Sequence, residues 1–280
     1  MSLDDIAKTI RQLEIEVERL KARETKSVDV YLEIAKGNVP GHTFIHKFGA
    51  APDFDTGDNA VTVWDGADDG NIDAMVYTYS ASADIDTISS SNNGDTQDIE
   101  IQGLDNNFDL VIQTKTITGQ TEATLATPLR RVFRMKNVNS SDNAGHIYLF
   151  TGGGSSSGVP SVAANVRAII QPGNNQTLMA IYTVPNGKTA YMDVHWSGLE
   201  GAAKASPIDI HLIARPESQV FQLKWDGALH EGGTSHMITN YKVPEKFDAK
   251  TDIEITANIV DAGVTGQKVI AGFDIVLVDD

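Results

Sequence analysis

Apolar positions change period twice along the chain. Leu3, Ile6, Ile10, Leu13, Val17 and Leu20 follow one another at spacings of three, four, three, four and three, which predicts a helix carrying the a/d seam of a coiled coil over nearly three heptads. Ser2, Asp4 and Asp5 supply a cap candidate and negative charge where the helix dipole favours them. The stripe is confined to a/d, whereas a helix lying on its own globular core carries a broader apolar face; that packed helix is the competing reading. Val17 and Ile10 at a with Leu13 and Leu20 at d suit two strands, while Leu3 at a with Ile6 at d favours more, so the seam leaves dimer and trimer open. Glu16 at g and Lys21 at the following e can pair between parallel chains.

From Met75 onward the pattern turns to alternation: MVYTY, DIEIQ, FDLVIQTKTI, RVFRMKN and HIYLF, then NVRAII, TLMAIYTV, TAYMDVHW, IDIHLIA, VFQLKW, HMITNYKV, DIEITANIV and VIAGFDIVLV. Turn residues separate the runs, among them Asn93-Gly94, Leu104 to Asn107, and Pro185-Asn186-Gly187, which is the strongest hairpin signal. So many short strands without alternating helical segments predict a mainly β chain: an N-terminal coiled-coil helix followed by two antiparallel β-sandwich or jelly-roll-like modules, and not a parallel α/β enzyme fold. The expected divisions are an attachment helix at 1–26, an extended linker at 27–73 with short strands at Tyr31–Ile34 and Val61–Trp64, module 1 at 74–151, a Gly/Ser linker at 152–160, and module 2 at 161–280.

Charge narrows the partners. The 280 residues hold 22 Lys and Arg against 38 Asp and Glu, a formal charge of −16, and such a field repels nucleic acid, whose binding requires clustered cations. With no cysteine, disulfide scaffolds, thiolate metal sites and thiol nucleophiles are excluded. No run approaches the ~18 apolar residues of a membrane span, and the acidic amino terminus does not resemble a secretory leader; no membrane insertion is expected.

Motifs that suggest chemistry fail on context. Gly154-Ser155-Ser156-Ser157-Gly158 matches a nucleophile elbow but leads to Val159-Pro160 rather than to a helix. Asp55-Thr56-Gly57 sits among turn residues instead of an apolar strand. Gly187-Lys188-Thr189 has Tyr182 where a phosphate loop needs glycine. Asp53, Asp55, Asp58, Asp65, Asp68 and Asp69, with Asp73, are the oxygen-donor candidates for Ca²⁺, although Ala67 interrupts EF-hand spacing. His42 and His46, and His230 and His236, lack a third convergent ligand, and Trp64, Trp196 and Trp225 are too far apart to define a sugar platform. No catalytic residue, resident metal or cofactor is expected.

Longer strings carry a resemblance. Lys47-Phe48-Gly49, Pro52 to Gly57, Thr62 to Gly66, Ser89–Asp95 leading to DIEIQGLD, PLRRVFR at 128–134, Asn175 to Pro185, and Ala271 to Asp279 together resemble a group of virion structural proteins of tailed bacteriophages common in aquatic phages. The resemblance covers roughly residues 45–280 and implies a non-enzymatic particle protein, made in the host cytoplasm and carried on the virion exterior. It implies a homotrimeric head decoration protein or head fibre whose added N-terminal helix joins the chains and docks on the major capsid protein or another virion protein. A tail connector or tail fibre touching the host surface, and a lectin-like protein binding a host glycan, are the alternatives.

Overall fold

The computed structural model describes residues 3–24, 29–54, 60–67, 72–200, 207–230, 235–259 and 267–280, and the chain divides into two compact units, 1–44 and 45–280. The described residues are mainly β, in several antiparallel sheets.

In the first unit the heptad spacing gives the helix it predicts, α1 (Leu3–Glu24). Thr9 Oγ1 bonds back to the Asp5 carbonyl at 2.9 Å, and Glu16 pairs with Arg19 one turn on at 3.3 Å. The strand expected at Tyr31–Ile34 is instead a short helix, α2 (Val30–Ala35). Asp29 decides this, because its carboxylate accepts from the amides of Tyr31 and Leu32 at 3.1 and 3.2 Å and so caps a helix start.

The strands, in chain order, are β1 (His42–Phe54), β2 (Val61–Thr62), β3 (Ile85–Ser90), β4 (Asp98–Leu104), β5 (Leu110–Thr116), β6 (Ala123–Leu129), β7 (Arg131–Asn137), β8 (Ile147–Thr151) and β9 (Ser155–Ser156). They continue with β10 (Val159–Pro160), β11 (Val166–Ile170), β12 (Ile181–Thr183), β13 (Lys188–Glu200), β14 (Ile208–Arg215), β15 (Gln222–Leu229), β16 (His236–Phe247), β17 (Asp252–Ile259) and β18 (Gln267–Asp279). Their sheets run β1-β18-β13-β16, β11-β8-β3-β6, β12-β17-β14-β15 with β2 beside β17, and β5-β4-β7, plus the β9-β10 hairpin.

Three expectations are corrected here. The first is the linker at 27–73: β1 is a 13-residue strand beside β18, and Val61, Val63 and Trp64 are buried, with the Trp64 indole donating to the Ala74 carbonyl at 3.0 Å. The second is the run MVYTY, which joins no ladder; Met75 accepts from the Thr62 amide and Tyr77 donates to the Thr62 hydroxyl, so the segment is held by single bonds rather than by a partner strand. The third is the pair of modules separated at 152–160. β8 before that tract pairs with β11 after it, and buried apolar side chains from Ala51 to Leu277 form one connected cluster.

The Gly/Ser tract is a built hairpin. Gly158 has φ +75°, and a Cβ placed on it would meet the Ser90 carbonyl oxygen at 1.8 Å; Ser89 Oγ also donates to the Gly158 carbonyl at 2.8 Å. Glycine is there because the backbone approaches β3 too closely for any side chain. Similarly, Pro185-Asn186-Gly187 does not close a hairpin: β12 pairs with β17, and β13 with β16 and β18, so the turn carries the chain from one sheet to another.

Candidate functional site

β17 places charge in the core. Its sequence alternates Asp252, Glu254 and Thr256 with Ile253, Ile255 and Ala257, so one face is polar and the other apolar, and both are buried. Register puts Thr183 of β12 on one side of Asp252 and Arg215 of β14 on the other. Thr183 Oγ1 donates to Asp252 Oδ1 at 2.7 Å and Arg215 Nη2 to Oδ2 at 2.6 Å. Arg131, from the start of β7, completes the arrangement with Nε to Oδ1 at 2.8 Å and Nη2 to Oδ2 at 3.0 Å. A planar guanidinium forked on a carboxylate is the strong form of an ion pair, and burial leaves it little screened.

Two residues along, Glu254 accepts from the hydroxyls of Thr62 and Tyr79, the latter at 3.0 Å. Burial pushes the Glu254 carboxyl up to about 7, against the opposing effect of those two hydrogen bonds. Burial, reinforced by the Glu254 and Asp252 charges, holds the Tyr79 phenol well above its ordinary value. The segment carrying Tyr79 is strapped on both sides of Ser80, whose carbonyl accepts from Arg131 Nη1 at 2.6 Å and whose hydroxyl accepts from Arg167 Nε at 3.0 Å.

A cavity of about 250 Å³ opens beside this network, walled by Tyr79, Phe108, Arg130, Arg131, Arg215, Lys250 and Asp252, with Glu217, Ser218 and Gln219 of the β14–β15 loop among its other residues. Cations stack on its rings, Arg130 over Phe108 at 4.4 Å and Arg215 over Tyr79 at 4.7 Å, and Arg215 also lies 4.6 Å from the ring of Phe221 outside the lining. It is a charged cavity whose lining includes four cationic and two carboxylate side chains.

The seam residues belong to the first unit. Ile6, Ile10, Leu13 and Val17 line α1 with their side chains exposed, Ile10 by 51% and Leu13 by 60%, and a shallow groove runs along Ile10, Leu13, Glu14, Val17 and Glu18. The side chains of Leu3, Leu20 and Lys21 lie outside the described residues.

Of the Ca²⁺ candidates, Asp55, Asp58, Asp68, Asp69 and the side chain of Asp53 lie outside the described residues, as does Asp55-Thr56-Gly57. Asp65 is buried and its carboxylate accepts from the Leu178 amide at 2.7 Å. Among the described residues no three His, Asp or Glu side chains gather as metal ligands. His42 bonds the Pro40 carbonyl at 2.9 Å, His46 faces Asp274, and His230 and His236 are exposed. Lys188 pairs with Asp279 across the β13–β18 ladder. No described helix is long and apolar enough to cross a membrane.

The cavity was missed because its residues come from five separate stretches, 79–81, 108, 130–131, 215–219 and 250–252. Two local signals existed: adjacent arginines opening an apolar run at Arg130-Arg131, and Asp252 and Glu254 on one face of DIEITANI.

No family model and no curated protein matches the chain. Among solved structures it aligns with the VP2 subviral particle of infectious bursal disease virus at 9% identity and a TM-score of 0.22, over 89% of this chain and 77% of that one. It also aligns with the mosquito-larvicidal Cry4Aa toxin of Bacillus thuringiensis at 9% identity and a TM-score of 0.16, over 66% and 42%. Superpositions at such scores carry no argument about this chain.

Proposed function

We propose that this chain is a non-enzymatic structural protein of a tailed-phage particle, a head decoration protein or short head fibre that sits on the virion exterior as a homotrimer. The observation that carries the reading is the exposed a/d stripe on α1. Ile6, Ile10, Leu13 and Val17 repeat along one face of a 22-residue helix and stay open to solvent in the single chain. Most helical stability in proteins comes from packing an apolar face rather than from propensity, and burying that stripe between copies stabilises the helix at about 25 cal/mol per Å² of apolar surface. Three copies joined there form a short bundle able to dock on the major capsid protein or another virion protein.

The remainder suits an appendage. Antiparallel sheets with one connected core make a sandwich-type display module, and a formal charge of −16 per chain keeps particles apart and the exterior away from packaged DNA. Trimer number, capsid partner and phage origin rest on the sequence resemblance at residues 45–280. Imaging particles that lack the gene tests the assignment: density missing over the capsomers is the expected result, and density missing only at the portal end moves the protein to the tail.

A further inference from the structure

The cavity beside the Arg131–Asp252 pair holds more positive charge than it neutralises. Its wall sets Arg130, Arg131, Arg215 and Lys250 against Asp252 and Glu217, four cations to two carboxylates, in a chain whose formal charge is −16. Both acids are engaged. Asp252 serves Arg131 and Arg215 together, and Glu217 lies 3.4 Å from Lys250. Arg130 makes no ion pair among the described residues, and its Nε is buried without a hydrogen-bond partner.

Three of these cations converge on one ring. Arg130, Arg131 and Lys250 lie 4.4, 5.5 and 5.6 Å from the centre of Phe108. Asp252 and Glu217 offset Arg131 and Lys250, so the charge left to be met by an added anion is that of Arg130. The backbone around them is also held in an uncommon form: Phe108, Ser218 and Lys250 have φ of +64°, +63° and +64°, and all three line the cavity. Non-glycine residues in that region are uncommon and occur at turns, as these three do, and at ligand clamps.

Shape and donors define the ligand. A volume of about 250 Å³ falls just below the ~300–1,000 Å³ of pockets for drug-sized molecules, so a single small acid or sugar ring fits. Guanidinium forks match carboxylates, while Ser218, Gln219 and Glu217 offer a hydroxyl, an amide and an acceptor for neighbouring hydroxyl groups. We infer that this cavity binds an acidic sugar, its carboxylate against Arg130 with Lys250 and Arg215 around it and its hydroxyls toward Ser218, Gln219 and Glu217. The ligand is either a free sugar acid or a uronic or sialic residue of an acidic glycan. The inference is independent of the α1 assembly.

The test is calorimetric titration of the full-length protein with glucuronate, galacturonate and N-acetylneuraminate, with glucose and sodium sulfate as controls. Expected is saturable binding of at least one sugar acid, at least tenfold weaker in Arg130→Gln and in Lys250→Gln, each checked for an unchanged melting profile, and none of glucose. Co-sedimentation with alginate or polysialic acid then separates a glycan-borne residue from a free acid. No binding of any sugar acid, equal binding by wild type and both variants, or sulfate binding as tightly as the best sugar acid overturns the proposal.

Discussion

Arg131 and Asp252, 121 residues apart, meet in a buried fork of two hydrogen bonds at 2.8 and 3.0 Å. That contact ties β7 to β17 from opposite sides of the Gly/Ser tract at 152–160. Asp252 also holds the more open Arg215, whose side chain is 27% exposed. Asp252→Asn leaves two guanidinium groups without their counter-charge and is expected to cost about 3–5 kcal/mol. Arg215→Gln removes only the outer partner and is expected to cost ~1 kcal/mol or less. Urea unfolding of the two variants checks this; equal midpoints contradict it.

Two buried groups give stability opposite pH slopes. Glu254 is raised to about 7 in the folded chain by burial. It therefore binds a proton more tightly when folded, so its contribution is complete below the unfolded value near 4.5 and is lost as pH rises through 7. The size of that loss is on the order of 3 kcal/mol. His195, packed against Trp225 at 4.5 Å with neither ring nitrogen hydrogen-bonded, is lowered to about 4 by burial. Its contribution is complete above the unfolded value near 6.5 and is lost as pH falls through 4.

Between pH 4.5 and 6.5 these effects oppose each other. Relative to wild type, Glu254→Gln is expected to gain stability as pH rises from 5 to 7, and His195→Phe to lose it. Urea midpoints at both pH values measure the two differences. A pair of variants with the wild-type pH profile contradicts the assignment.

Gly158 and Gly152 separate a built hairpin from a flexible tether. Gly158→Ala forces a Cβ onto the Ser90 carbonyl at positive φ, whereas Gly152→Ala meets nothing within 4 Å. The first is expected to destabilise by more than about 2 kcal/mol, in the upper range of point substitutions, and the second by less than about 0.5 kcal/mol. Thermal melting decides between them, and two neutral substitutions return the tract to a linker.

Legibility in the sequence followed the length of the pattern. RVFRMKN became β7 residue for residue, and IDIHLIA and VIAGFDIVLV sit within β14 and β18, because alternation over seven or more positions leaves one register that buries the apolar face. The helical heptads of α1 were equally plain. Composition misled where local chemistry decides. Gly152 to Gly158 carries the glycines of a linker, yet close backbone approach requires glycine at Gly158 just as much as flexibility would. Val30–Ala35 has the residues of a strand, and one capping carboxylate at Asp29 turns it into a helix. β3 and β6 were missed because IDTISS and ATLATPL are rich in Ser, Thr and Ala rather than in large apolar residues. The charged cavity was beyond reach, since what joins Arg130, Arg215 and Lys250 is sheet order and not spacing.

The assembly claim meets its most direct test in sedimentation equilibrium of the full-length chain at micromolar concentration, beside an Ile10→Asp/Leu13→Asp variant. The account predicts three chain masses for the first and one for the second, with the sheet signal in circular dichroism unchanged. A single-chain mass for the unaltered protein, or a trimer that survives both substitutions, contradicts it.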